Sequence, residues 1–271
     1  MWNLGDIMDK ININDINFNK IKMINTEATQ SIIYRDIKYY YKIFKYYNHR
    51  DSLMLNYLFR ELDGINIECL LLPKYLITDN NNICGYITDN VGAKSLDMIY
   101  TENKNLDCKK FFEIMKKASI LLKKLHEEKI VVCDFNISNI LVDKKHNIYL
   151  CDIESFKYKG VTSDYVSKLL FLFTYEYRNE MIDINENSDR LSLLLEFLQV
   201  IYILATYEIN NDYYDYYTYI NTLNNIKPIF KDIMNQEKDI GEIPYLDELI
   251  TLDNYKINRK KQLEIIGNLY K

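Results

Sequence analysis

The sequence predicts an α+β protein in two lobes: a small β-rich lobe over residues 1–88, a hinge at 89–92 and a larger helical lobe over 93–271. Three observations predict it. Short runs rich in β-branched and aromatic residues dominate before residue 89, the apolar period becomes helical after Gly92, and a brief hairpin interrupts the helical part near residues 139–151.

In the first lobe, Ile21–Ile24, Ser31–Tyr34 and Tyr39–Phe44 are strand-like runs separated by polar turns, which reads as a three-stranded antiparallel meander. A helix follows over Asp51–Leu62, where Leu55, Leu58 and Leu62 share one stripe behind Asp51 as a cap. Leu70–Thr78 and Ile83–Thr88 are two further strands around the turn Asp79-Asn80-Asn81-Asn82. In the second lobe Phe112, Met115, Ser119, Leu122 and Leu125 form a helical stripe, with Lys116, Lys117, Lys123 and Lys124 off it as a solvated face. Asn139–Val142 and Asn147–Cys151 make the hairpin, and helices return at Asp189 and continue to the end.

Composition narrows the function classes. A hydrophobic content of 48% supplies a buried core, which argues against disorder. The net charge of -5 argues against a broad nucleic-acid-binding face. Five cysteines without a CxxC spacing, beside only three histidines, argue against a thiolate metal site and point to a reducing cytoplasm. Residues 1–20 lack the basic start and apolar run of a signal peptide, and the longest apolar stretch, Leu191–Tyr207, is too short and too polar to span a bilayer, so neither secretion nor a membrane span is expected. The 25 tyrosines are spread along the chain and read as compositional drift.

Val131–Phe156 carries the chemistry. Asp134 and Asn139 lie five residues apart at the start of the hairpin, and Asp152 follows at its far end, so folding the hairpin back lets three oxygen-bearing side chains converge. Transfer of a phosphoryl group from a nucleotide needs oxygen ligands for Mg²⁺, a carboxylate that orients the attacking hydroxyl, and a cation on the remaining phosphates. Each part has a candidate here.

In this segment the chain resembles the protein-kinase-like superfamily, whose catalytic loop reads His-Arg-Asp-x-x-x-x-Asn ahead of a metal-binding Asp-Phe-Gly. The resemblance implies a two-lobed kinase-like fold over essentially the whole chain, ATP and Mg²⁺ as nucleotide and cofactor, and an active site in the cleft at Asp89–Gly92. It implies that Asp134 orients the acceptor hydroxyl, Asn139 holds one metal, and Asp152 holds the metals bridging the phosphates. Lys42, in Tyr41-Lys42-Ile43-Phe44, matches the strand lysine that anchors the nucleotide, with Asp51 as its carboxylate partner and Glu61 as the alternative. After the gatekeeper Thr88, the hinge Asp89-Asn90-Val91 reads the adenine through its backbone, and Asp189 braces the catalytic loop. Blander readings stand beside these: Lys42 as a solvent-facing lysine, and Asp51 or Asp189 as a plain helix cap.

The chain also departs from the family pattern. Asn25–Ser31, where a glycine-rich loop normally covers the phosphates, has no glycine, and Tyr40 stands where a small residue usually roofs the adenine. Val132 and Cys133 replace the catalytic-loop His and Arg, which removes the charge that docks a phosphorylated activation segment. Asp152-Ile153-Glu154-Ser155-Phe156 looks most like the Asp-x-Asp-Ser-Phe sequence of some bacterial kinase-like proteins, and Asn136 replaces a lysine common in Ser/Thr kinases. No Ala-Pro-Glu closes the roughly 30 residues between Phe156 and Asp189. The leading expectation is an ATP/Mg²⁺-dependent phosphotransferase acting on a hydroxyl, foremost Ser or Thr of a protein. The alternatives are a pseudokinase acting as a binding or scaffold module, and a small-molecule kinase resembling the aminoglycoside and choline kinases.

Overall fold

A computed structural model of the chain describes residues 8–25, 30–102, 108–161, 184–210 and 245–246. It is a mixed α+β structure that divides into two units, Met1–Lys94 with Leu141–Ser163, and Ser95–Ile140 with Asp164–Lys271. Residues 141–163, which the sequence reading places in the second lobe, thus belong with the first unit. The cause is local: Leu150 donates its N–H to the Cys69 carbonyl at 2.8 Å and accepts from Leu71 at 3.0 Å.

The first unit is built on one six-stranded sheet. Strands β1 (Asp9–Asn12), β2 (Lys22–Asn25), β3 (Ser31–Arg35), β4 (Tyr39–Phe44), β5 (Tyr75–Asp79) and β6 (Asn82–Asp89) run in the order β1-β5-β6-β4-β3-β2. The meander β2-β3-β4 forms where the sequence places it. β5 and β6 are joined through Asn80 and Asn81, both left-handed at φ 47° and 67°, a conformation that asparagine tolerates and a two-residue hairpin requires. β5 begins at Tyr75 rather than Leu70, because Pro73 has no N–H to give to a ladder; Leu70 makes a single bridge to Leu150 instead.

Two faces result from the period of two along β4. Tyr39, Tyr41 and Ile43 lie on one side, packed with Ile77, Cys84 and Ile87 beneath Ile11, Ile13, Ile16 and Phe18 from the N-terminal segment. A few of the tyrosines that look like drift in the sequence line a sheet face here: Tyr39 stands edge-on to both Tyr41 and Tyr75, and Phe18 tilts against Tyr34. On the other side lie Tyr40, Lys42 and Phe44, and helix α1 (His49–Leu62) covers that side with Leu58, Phe59 and Leu62, all essentially buried. The helix is capped by Asn48, whose side chain accepts from the Asp51 N–H at 3.0 Å, so Asp51 is the third residue of the helix and not its cap. Ser52 ties α1 to the sheet by accepting the Ile83 N–H at 2.7 Å. At Gly85 the β4 backbone comes so close that a Cβ would run into the Lys42 carbonyl oxygen.

A two-residue strand β7 (Lys94–Ser95) follows, and later the hairpin of β8 (Ile140–Val142) and β9 (Ile148–Leu150), whose turn Asp143 holds by accepting the N–H groups of Lys145 and Asn147 at 2.8 and 2.9 Å. The second unit contains helices α2 (Leu96–Glu102), α3 (Cys108–Glu127) and α4 (Glu186–Asn210). The predicted stripe of α3, from Phe112 to Leu125, is buried, and Phe111 and Phe112 pack on Phe197 of α4 at 5.9 and 5.1 Å between ring centres. Asn185 caps α4 by accepting from Asn187 at 2.8 Å and Ser188 at 3.3 Å, which leaves Asp189 inside the first turn for another task. Among the described residues no helix is long and apolar enough to cross a membrane. The expected helices beyond residue 210 lie outside the described residues.

Candidate functional site

In the first unit the site is built around Lys42. Its backbone is held in the middle of the sheet, opposite Tyr86 of β6, and the side chain is buried with 9% of its surface exposed. The Nζ lies 2.7 Å from Asp152 Oδ1 and 2.5 Å from Glu154 Oε1. Burial opposes the charge on this ammonium, but the carboxylates of Glu154 and Asp152 outweigh it, so the pKa of Lys42 is raised and the group stays cationic. The Tyr86 hydroxyl donates to Glu154 Oε2 at 2.7 Å, and its ring is wedged by Phe59 and Phe44 at 5.4 and 6.0 Å. Burial first, and then Glu154, push the Tyr86 phenol well above its ordinary value, which keeps it a donor.

Asp152 follows β9 in a left-handed conformation, φ 60° and ψ 42°, which aspartate adopts more readily than most residues. Its carbonyl accepts the Ser155 hydroxyl at 2.8 Å, closing a single 3-10 turn over Ile153–Ser155. That turn brings Glu154 back beside Asp152 on the same lysine. The Cys151 thiol is pushed well above its ordinary value, chiefly by burial and then by the charge of Asp152, so it is an inert thiol and not a nucleophile.

In the second unit the site is the loop from Val131 to Asn139. Asp189, fully buried on α4, accepts the Val132 N–H at 2.6 Å and the Cys133 N–H at 2.9 Å. Its Oδ2 also meets His126 Nε2 at 3.0 Å, and His126 Nδ1 meets the Tyr245 hydroxyl at 2.8 Å. All these groups are satisfied when Nε2 donates to the carboxylate and Nδ1 accepts from Tyr245. Burial raises the Asp189 pKa, against the lowering effect of these hydrogen bonds.

At Asp134, one residue beyond Cys133, Oδ1 accepts from Asn136 Nδ2 at 3.0 Å, while Asn139 Nδ2 donates to the Asp134 carbonyl at 2.9 Å and reaches Oδ2 at 3.5 Å. Asn136 Oδ1 in turn accepts the N–H groups of Ser138 and Asn139 at 3.0 and 3.1 Å. The two asparagines therefore lock the loop and aim the Asp134 carboxylate. Asp134 and Asn139 are thus brought together within the second unit, and Lys42 and Asp152 within the first.

The remaining predicted residues take other places. No carboxylate of α1 reaches Lys42: Asp51 is exposed in the first turn, and Glu61 pairs with Arg60 at 3.1 Å and Lys159 at 3.0 Å. The partner role expected of Asp51 or Glu61 is filled by Asp152 and Glu154. Of the hinge, Asp89 pairs with Lys74 at 2.8 Å, Asn90 bonds the Lys38 and Asp36 carbonyls at 2.8 and 2.7 Å, and Val91 is half-buried. Thr88 is buried, and Tyr40 reaches the Ala93 carbonyl with its hydroxyl at 3.4 Å. Residues 26–29 of the glycine-free loop, and residues 162–183 of the segment before Asp189, lie outside the described residues. Glu154 as the lysine partner and Asn136 as the brace of Asp134 are contacts that spacing did not single out.

Among the described residues no group of three or more His, Cys, Asp or Glu side chains is placed to hold a metal ion. Mg²⁺ does not need such a cage, since it is commonly held by one or two carboxylates together with substrate phosphates. Asp152, an oxygen donor with a third of its side chain exposed, suits that mode. No family model matches the chain, and no curated protein matches it.

Proposed function

We propose that this chain is an ATP- and Mg²⁺-dependent phosphotransferase on a two-lobed, protein-kinase-like fold, with Ser or Thr hydroxyls of a protein as acceptor. The observation that carries this reading is the buried Lys42 ammonium 2.7 Å from Asp152, two groups far apart in sequence that phosphoryl transfer needs as cation and metal ligand. The carboxylate of Asp134, aimed by Asn136 and Asn139, supports it from the second unit. Lys42 anchors the phosphates that stay on the nucleotide. Bound Mg²⁺ would neutralise charge on the phosphates, and Asp152 in the first unit and, separately, Asn139 in the second are the oxygen-bearing residues suited to ligate a metal. Asp134 orients the acceptor hydroxyl and accepts its proton as the oxygen bonds to the γ-phosphorus and the bond to the ADP oxygen breaks. A reducing cytoplasm is its proposed home, as the five cysteines without a CxxC spacing suggest.

The test is transfer of label from γ-labelled ATP to a Ser/Thr peptide library, with aminoglycosides and choline as competing small acceptors. Asp152→Asn removes a metal ligand without opening a cavity, and is expected to lower transfer by about 100-fold or more, the scale on which electrostatic catalysis is lost. Wild-type turnover in that variant sinks the assignment. A second reading, a pseudokinase binding module, draws on Tyr40, which the resemblance puts where a small residue usually roofs the adenine, and whose hydroxyl reaches the Ala93 carbonyl at 3.4 Å. Transfer to any acceptor rules it out.

A further inference from the structure

We infer that Glu154 is the positioning residue for Lys42, supplying from the turn after β9 the carboxylate that a helix would otherwise provide. The role of this pair rests on the phosphotransferase reading, whereas the pairing itself stands on geometry. Glu154 bridges two cross-strand neighbours: one oxygen meets Lys42 Nζ at 2.5 Å and the other accepts the Tyr86 hydroxyl at 2.7 Å. Lys42 and Tyr86 face each other in the β4–β6 register, so their spacing is set by the sheet. A carboxylate held from both ends in this way has little freedom to swing, and it fixes the lysine in turn.

The two acids on Lys42 are not equivalent. Glu154 has 13% of its side chain exposed and Asp152 has 34%. The buried one is committed to the lysine and the tyrosine, and the open one remains accessible for a metal. The carboxylates of α1 are not involved, Asp51 because it faces outward and Glu61 because Lys159 and Arg60 hold it. Lys42 is therefore oriented by residues 152–155, and a shift of α1 against the sheet does not by itself uncouple it. In a lysine site governed by a helix carboxylate the opposite holds.

The experiment measures the acylation rate of Lys42 by acetic anhydride in the full chain at about pH 9, read by peptide mass spectrometry against the exposed Lys45 in the same tube. Losing the contact that pins the Lys42 amine frees it for the reagent, so Glu154→Gln is expected to speed Lys42 acylation about tenfold, which is about 1.4 kcal/mol of restraint, and Tyr86→Phe about threefold. Asp51→Asn and Glu61→Gln are expected to leave the rate within about twofold of wild type. Tyr86→Phe keeps the ring that packs on Phe59, so it decides the matter if Glu154→Gln fails to fold. Unchanged acylation in the folded Glu154 variant, or in Tyr86→Phe where it alone folds, overturns the inference. So does an α1 variant that matches the Glu154 effect. Nucleotide plays no part in this readout, so a failed phosphotransferase reading would show in the transfer assay and not here.

Discussion

Asp189 Oδ1 accepts the Cys133 N–H at 2.9 Å at the point where the chain turns left-handed, φ 65°, one residue before Asp134. A cysteine pays for that conformation with backbone strain, and a buried carboxylate that also takes the Val132 N–H at 2.6 Å is what holds it there. The aim of Asp134 thus depends on a helix residue that touches no reacting atom.

Removing Asp189 should be costly. Asp189→Ala leaves two buried N–H groups and His126 without their acceptor, and is expected to destabilise the protein by about 3 kcal/mol or more. Urea denaturation checks this. A loss below about 1 kcal/mol would mean that the loop finds other partners.

Glu196 makes stability depend on pH. Burial raises its pKa from 4.5 to about 8, with Asp134 and Asp97 adding to the shift and the Ile137 N–H opposing it. A raised carboxyl pKa means that the folded state holds its proton while the unfolded state releases it. The contribution is therefore fully favourable below 4.5 and is lost as the pH climbs to about 8, by on the order of a few kcal/mol. Glu196→Gln should flatten that slope and melt higher than wild type at the alkaline end. Parallel slopes for the two proteins in urea titrations at several pH values would contradict it.

Gly85 is required by the approach of β4 to β6. Gly85→Ala places a methyl group against the Lys42 carbonyl and should cost about 1–3 kcal/mol, as overpacked sites do. Because the clash falls on the residue that carries the site lysine, acylation of Lys42 should rise as well. Thermal melting and the labelling assay together check both parts.

Much of this architecture is legible in the sequence because it is local. The alternation in Tyr39–Phe44, the leucine spacing of α1 and the stripe of α3 each declare their element within a few residues. Strand β1 is not legible, since Asp9-Lys10-Ile11-Asn12 carries one apolar residue and becomes a strand only through parallel pairing with β5, distant in the chain. The Tyr39/Tyr41 alternation held the signal for the aromatic sheet face, but a count over the whole chain hides it. Lys42, Asp134, Asn139, Asp152 and Asp189 could each be named as candidates from the sequence. The partner of Lys42 could not, because the choice among Asp51, Glu61 and Glu154 is made by tertiary contact.

The most direct test of the central claim is the melting temperature of the wild-type chain with and without millimolar ATP and Mg²⁺, beside Asp152→Asn. The phosphotransferase reading predicts a rise of about 2 °C or more for wild type, as ligand binding to the folded state requires, and a smaller rise for the variant. No rise in wild type, under conditions where a nucleotide-binding control kinase responds, would contradict it.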